Sequence, residues 1–109
     1  MSDITVTLMT APDRGVGLRL ANLLVESRLC ACVNVLDGVN SVYLWKGEVC
    51  QEEEVLLVAK STHRRWVEIE TLVSAEHPAE VPEIIHLPVK GGLPDYLAWV
   101  AESVRDDEV

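Results

Sequence analysis

Val55-Leu56-Leu57-Val58-Ala59 is an unbroken apolar run between Glu54 and Lys60. A strand with one wet face would alternate apolar and polar residues, so this run predicts a strand covered on both faces. The strand reads from Glu48 to about Lys60. Just before it, Lys46-Gly47 has the composition of a tight turn. Upstream, residues 30–45 are rich in Val and are interrupted at Asp37-Gly38 and Asn40-Ser41. They read as a second long strand, with a bend or bulge near Asp37-Gly38. The two strands make one long β-hairpin. The chain's own helices can cover one face of residues 55–59. The other face has no evident cover, which points to an oligomer. The alternative is a central strand covered wholly by its own domain.

Working outward, residues 3–11 alternate, with Ile4, Val6 and Leu8 on one side and Thr5, Thr7 and Met9 on the other. That is the pattern of a half-buried strand. Asp13 is a candidate N-cap for a helix over 14–28, whose apolar face holds Val16, Leu20, Leu23 and Leu24, widened by Leu18, Ala21 and Val25. Ser61 or Thr62 can cap a helix over 63–76 that carries Trp66, Ile69, Leu72 and Val73. Arg64 and Arg65 stand one turn before Glu68, and His77-Pro78 ends this helix. Glu83–Val89 reads as a short strand and Gly91-Gly92 as a turn. Pro94 opens a last helix, with Tyr96, Trp99, Val100 and Val104 turned inward. The tail, Arg105–Val109, is expected to fray. The order strand–helix–strand–strand–helix–strand–helix predicts an α+β, ferredoxin-like split βαβ domain over residues 1–109. In that fold both main helices lie on one side of an antiparallel sheet, and the other side is left to solvent or a partner.

The totals narrow the partners. Eighteen acidic residues stand against nine basic ones, for a net charge of −9. Such a surface disfavours nucleic acid and anionic membranes, and attracts cations without selecting among them. No apolar stretch approaches the length of a membrane span, and the N-terminus lacks the pattern of a signal peptide. Three cysteines, Cys30, Cys32 and Cys50, make a poor disulfide framework and suggest reduced thiols in the cytoplasm.

Several segments together resemble the CutA family of divalent-cation tolerance proteins, in order and over nearly the whole chain. They are Thr10-Ala11-Pro12, the LCACVN of residues 29–34, the SVYLWKG of residues 41–47, Glu54, Lys60-Ser61, His77-Pro78, Val81-Pro82-Glu83-Ile84, and Tyr96-Leu97 with Trp99. The hairpin motif, followed at this spacing by the glutamate, the lysine and the His-Pro segment, is the specific part. The resemblance implies a ferredoxin-like subunit in a homotrimer whose hairpins reach across to neighbours. It also implies a likeness in architecture to the trimeric PII signalling proteins.

The resemblance further implies a copper site. The family's ligand positions fall on Met9, Glu76 and His77, where Met9 replaces a cysteine and Glu76 a histidine. Thioether and imidazole suit copper, whereas a carboxylate is a harder ligand. Read without the family, Met9 is a strand residue filling a gap and His77 a cation at a helix end. Tyr43, Trp45, Glu54, Lys60 and Tyr96 are expected to line an inter-subunit pocket, or else to make an ordinary interface contact. Cys30 and Cys32, two apart on a strand, share a face and read as small apolar residues more readily than as metal ligands. Cys50, just past the turn, is expected to be exposed. No nucleophile–base set and no nucleotide-binding motif appears, so the chain is read as a non-enzyme without an organic cofactor. The expected function is a cytoplasmic trimer that binds copper or other divalent ions. The alternative is a PII-like module sensing a small molecule or docking a protein.

Overall fold

The computed structural model describes residues 3–105. Strand β1 (Ile4–Ala11) leads to helix α1 (Arg14–Glu26) and then to the paired strands β2 (Cys32–Trp45) and β3 (Glu48–Thr62). A 3-10 turn over His63–Arg65 enters helix α2 (Trp66–Glu76). Strand β4 (Ile84–Pro88) and helix α3 (Pro94–Ser103) follow. The sheet has the order β2-β3-β1-β4 and all pairings are antiparallel. This is the predicted split βαβ arrangement. Residues 106–109 of the expected frayed tail lie outside the described residues.

The hairpin forms where the sequence placed it. Lys46 and Gly47 both have positive φ, 52° and 81°, as a type I′ turn requires, and that turn matches the natural twist of the strands it joins. Trp45 pairs with Glu48 across it. At Asp37-Gly38 the register slips: Leu36 pairs with Leu56, but Val39 pairs with Glu54. Two residues of β2 therefore face Val55 alone. Gly38, at φ 73°, supplies the backbone shape of the bulge.

That slip decides which side chains look which way. Before the bulge, Val33 and Val35 pair with Ala59 and Leu57 on the face that packs under α1 and α2. After it, Val39, Ser41, Tyr43 and Trp45 pair with Glu54, Glu52, Cys50 and Glu48. An extra residue reverses the alternation of a strand. The aromatic residues of the hairpin thus join the opposite face, the one carrying Glu54, Leu56, Val58 and Lys60.

The core lies between the sheet and the first two helices. Met9, Leu20, Leu24, Leu57, Ile69 and Val73 are fully buried there. Asp13 caps α1, its carboxylate accepting the Val16 N–H at 2.9 Å. The buried stripe of α1 is Gly17, Leu20, Ala21 and Leu24. Leu18 and Val25, expected on this stripe, are exposed. The helix comes so near the sheet that Gly17 forms part of the contact, which turns residues 18 and 25 outward. A Cβ at Gly17 would stand 2.8 Å from Val55 Cγ2.

Three other expectations are corrected. Neither Ser61 nor Thr62 caps α2. The Ser61 hydroxyl is buried and donates to the Leu29 carbonyl, and the first turn is 3-10, with Thr62 giving no side-chain cap. Cys30 lies before β2, not on it, so strand alternation does not govern it. Its N–H bonds the Leu24 carbonyl at 3.1 Å, and burial pushes its thiol up to about 12, with Cys32 adding to the effect. Tyr96 and Trp99 are exposed, their rings 5.6 Å apart, while Val100 and Val104 are buried.

Helix α3 lies against β3 and β1. It crosses the sheet face opposite α1 and α2, since Tyr96 reaches Cys32, which pairs with Lys60 there. Only one end of that face is covered. The radius of gyration is 14.6 Å and the long axis spans 48 Å, against about 13 Å expected of a compact chain this long. The excess is the projecting hairpin. Its outer residues Val42, Leu44 and Val49 are 66%, 71% and 74% exposed.

Alanine at position 17 gains about 1 kcal/mol of helix propensity over glycine. Overpacking against Val55 costs about 1–3 kcal/mol. Gly17→Ala is therefore expected to lower the thermal midpoint by a few degrees, measured by circular dichroism.

Candidate functional site

The end of β1, the projecting half of the hairpin and the segment after α2 border an open cleft of about 770 Å³. The hairpin contributes Tyr43, Trp45, Cys50, Glu52 and Glu54, and the segment after α2 contributes His77, Glu80 and Glu83. The bulge at Asp37-Gly38 is what brings the hairpin's aromatic residues to this side. An ion pair between Arg14 and Asp37, 2.9 Å long, ties the bulge to the start of α1.

His77 fixes the far wall. Its backbone N–H closes α2 on the Val73 carbonyl at 2.9 Å. Its Nδ1 accepts the Ala79 N–H at 3.0 Å, and its Nε2 lies 2.8 Å from the Thr10 carbonyl. An acceptor at Nδ1 requires the proton on Nε2, which donates to Thr10. The imidazole thus pins the segment after α2 to the end of β1. Arg19 of α1 holds the same corner, with Nη1 on Glu76 Oε1 and Nη2 on the Glu76 carbonyl, both at 2.8 Å.

These contacts decide how the three expected metal ligands stand. Met9 is wholly buried between the sheet and the helices. The Glu76 carboxylate is engaged by Arg19 and both nitrogens of His77 are in use. Met9 and His77 are neighbours through Thr10, but the three do not present free donors to a common point. Among the described residues, no three His, Cys, Asp or Glu side chains cluster closely enough to hold a metal ion.

The expected pocket residues divide into two groups. Tyr43, Trp45 and Glu54 line the cleft. Lys60 and Tyr96 stand elsewhere, around Cys32. The Lys60 ammonium donates to Asn34 Oδ1 and lies 4.0 Å from Cys32 Sγ. Burial pushes the Tyr96 phenol up, with Cys32 adding to the effect. Sequence parity placed Glu54 and Lys60 on one face, which holds, but the length of β3 between them keeps the two groups apart. Glu52, Cys50, Glu80 and Glu83 were not expected in the pocket from sequence. The bulge is the signal that reveals the first two, because it puts residues 50 and 52 opposite Tyr43 and Ser41. Cys50, expected to be exposed, is half-buried.

Within the cleft the Tyr43 hydroxyl donates to the Glu52 carboxylate. That bond holds the phenol proton on, and the charges of Glu52, Cys50 and Glu54 act the same way, so its pKa is pushed up to about 12. Removing the Glu52 charge is expected to bring the Tyr43 phenol back toward ordinary tyrosine behaviour, with desolvation and the Cys50 and Glu54 charges still holding it up. Ultraviolet titration of phenolate in a Tyr96→Phe background should show Tyr43 ionising at clearly lower pH in Glu52→Gln than in the parent.

With this geometry in hand, the chain can be set beside known proteins. The family model described as CutA1 divalent ion tolerance protein matches residues 5–103. The divalent-cation tolerance protein CutA of Pectobacterium atrosepticum is 43% identical, over 96% of each chain. The solved divalent cation tolerance protein of Thermus thermophilus superposes with a TM-score of 0.90 at 42% identity, covering 92% of this chain and 97% of that one. A PII-like protein CutA from Nostoc, solved in apo form, gives 0.85 at 35% identity, covering 93% and 97%. By sequence and by fold, this chain belongs to the CutA1 divalent ion tolerance family.

Proposed function

We propose that the chain works as a cytoplasmic homotrimer that takes up copper or other divalent metal ions and so contributes to heavy-metal tolerance. The observation that carries the cation reading is the cleft itself, where Glu52, Glu54, Glu80 and Glu83 stand with His77 in a chain of net charge −9. One copy gathers cations there by its field, without a chelating set. Donors beyond these come from neighbouring copies.

Support for the trimer comes from what one copy leaves wet. Val42, Leu44 and Val49 on the hairpin are exposed, as are Leu36, Ile85 and Leu87 on the sheet and Tyr96 and Trp99 on α3. On the hairpin Leu44 pairs with Val49 beside Val42, and exposed apolar surface gathered in this way is unusual on a monomer and marks an interface. Three cysteines, none in a disulfide, fit a reducing compartment. No described helix is long and apolar enough to cross a membrane.

A second reading is a PII-like module that senses a small molecule. It is favoured by the cleft's volume, within the roughly 300–1,000 Å³ common to small-ligand sites, and by the rings of Tyr43 and Trp45 on its wall. The description of the Nostoc protein as PII-like points the same way. Under either reading the chain is a binding protein and not an enzyme.

Sedimentation velocity at micromolar dilution is expected to give three times the chain mass, and a stable, folded single copy would overturn the trimer. Isothermal titration with Cu(II) should show fewer ions bound per chain in His77→Ala than in the parent. Equal, weak binding by both would favour the small-molecule reading.

A further inference from the structure

At the opposite end of α2 from His77, two other histidines meet. His63 opens the 3-10 turn after β3, and His86 sits in the middle of β4. His63 Nδ1 and His86 Nε2 are 3.3 Å apart, with the rings tilted by 44°. The Trp66 ring lies 4.0 Å from the His86 ring, centre to centre. Three separate elements, the 3-10 turn, β4 and the first residue of α2, therefore converge on one pair of nitrogens.

That separation has a chemical meaning. A tetrahedral ion with metal–nitrogen bonds of about 2.0–2.1 Å sets two imidazole ligands roughly 3.3 Å apart. We propose that His63 Nδ1 and His86 Nε2 form a two-imidazole site for a borderline divalent transition-metal ion such as Zn(II), distinct from the cleft at His77. The remaining coordination positions are taken by water. With no ion, one nitrogen must hold a proton toward the other. On binding, that proton shifts to the far nitrogen of the same ring, so that both facing nitrogens offer lone pairs to the ion.

The surroundings suit this role. Contact with Trp66 fixes the plane of the His86 ring, as supporting groups do for ligating histidines. Burial, and then the nearness of His63, hold the His86 imidazole below its usual range, so at neutral pH it offers a lone pair. Glu70, one turn along α2 from Trp66, places a negative charge close enough to act on His86. It neutralises part of the incoming charge without being counted as a ligand. His63 is exposed, which opens a path from solvent. Strand β4 is the last strand of the sheet, so the site borders an edge unpaired within the chain. Imidazole favours zinc, nickel and copper over magnesium and calcium, and this sets the class of ion. The site lies roughly 16 Å from His77, the rise of an eleven-residue helix.

The test uses ZnCl₂ on the full-length protein. Isothermal titration is expected to show one zinc per chain whose affinity falls at least about tenfold in His63→Gln and in His86→Gln, the scale seen when a metal site loses a supporting group. His63 is exposed, so His63→Gln leaves the packing intact and keeps the outcome readable if His86→Gln is misfolded. Imidazole resonances followed by NMR should show His63 and His86 moving together at one equivalent, apart from any change at His77. Zinc affinity unchanged in His63→Gln, or saturation without movement of the His63 and His86 signals, would overturn the site. Neither result bears on the trimer or on the cleft.

Discussion

Strand β3 is one continuous piece of backbone that serves two places at once. From Val55 to Thr62 it lies inside the sheet between β1 and β2, where Val55, Leu57 and Ala59 are buried under the helices. From Glu48 to Glu54 it projects beyond β1 with only β2 beside it. The inner half anchors the outer half, and the register between β2 and β3 determines everything the hairpin presents. A shift of that register by one residue would turn Tyr43 and Trp45 away from Glu52 and Glu54. The Asp37-Gly38 bulge and the Lys46-Gly47 turn hold it from the two ends.

The two ends of α2 show how one helix organises two polar regions. At its C-terminus, Arg19 of α1 binds the Glu76 carbonyl that the helix leaves open, and His77 donates to the Thr10 carbonyl of β1, which together fasten the wall of the acidic cleft to α1 and β1. At its N-terminus, Trp66 packs on His86 beside His63. The Arg19–Glu76, Arg65–Glu68 and Arg105–Glu102 pairs are exposed in part and worth about 1 kcal/mol or less each. Their role is to set position, while burial of Leu20, Leu24, Leu57, Ile69 and Val73 supplies the stability.

The fold was legible because its signals are local. The unbroken run 55–59, the Lys-Gly turn, the Asp37-Gly38 interruption and the His-Pro stop each name a backbone event, and all four occur where expected. Helix faces were less legible. Periodicity alone cannot tell that Gly17 is pressed onto Val55 and Leu57, and that contact is what expels Leu18 and Val25. Tyr96 and Trp99 read as core because they are large and apolar, yet α3 buries Val100 and Val104 instead and leaves those two rings exposed. The site was half visible. Tyr43, Trp45, Glu54 and His77 do converge, while Lys60 and Tyr96 belong to the Cys32 cluster. The parts played by Glu52 and Cys50 depend on the bulge register, and the meeting of His63 with His86 depends on sheet order, which places β4 next to β1.

The projecting half of the hairpin also has a bearing on how the chain avoids misassembly. A long ribbon with Val42, Leu44 and Val49 exposed is the kind of segment that stacks into fibrils. Glu48 and the run Glu52-Glu53-Glu54 flank its apolar residues on β3, and Glu54 directly precedes the greasiest run in the chain. Like charges brought into register at the spacing of stacked strands repel one another strongly, so these carboxylates act as gatekeepers against stacking of the ribbon. Without those charges, the ribbon that exposes the most apolar surface would be the one most prone to aggregate.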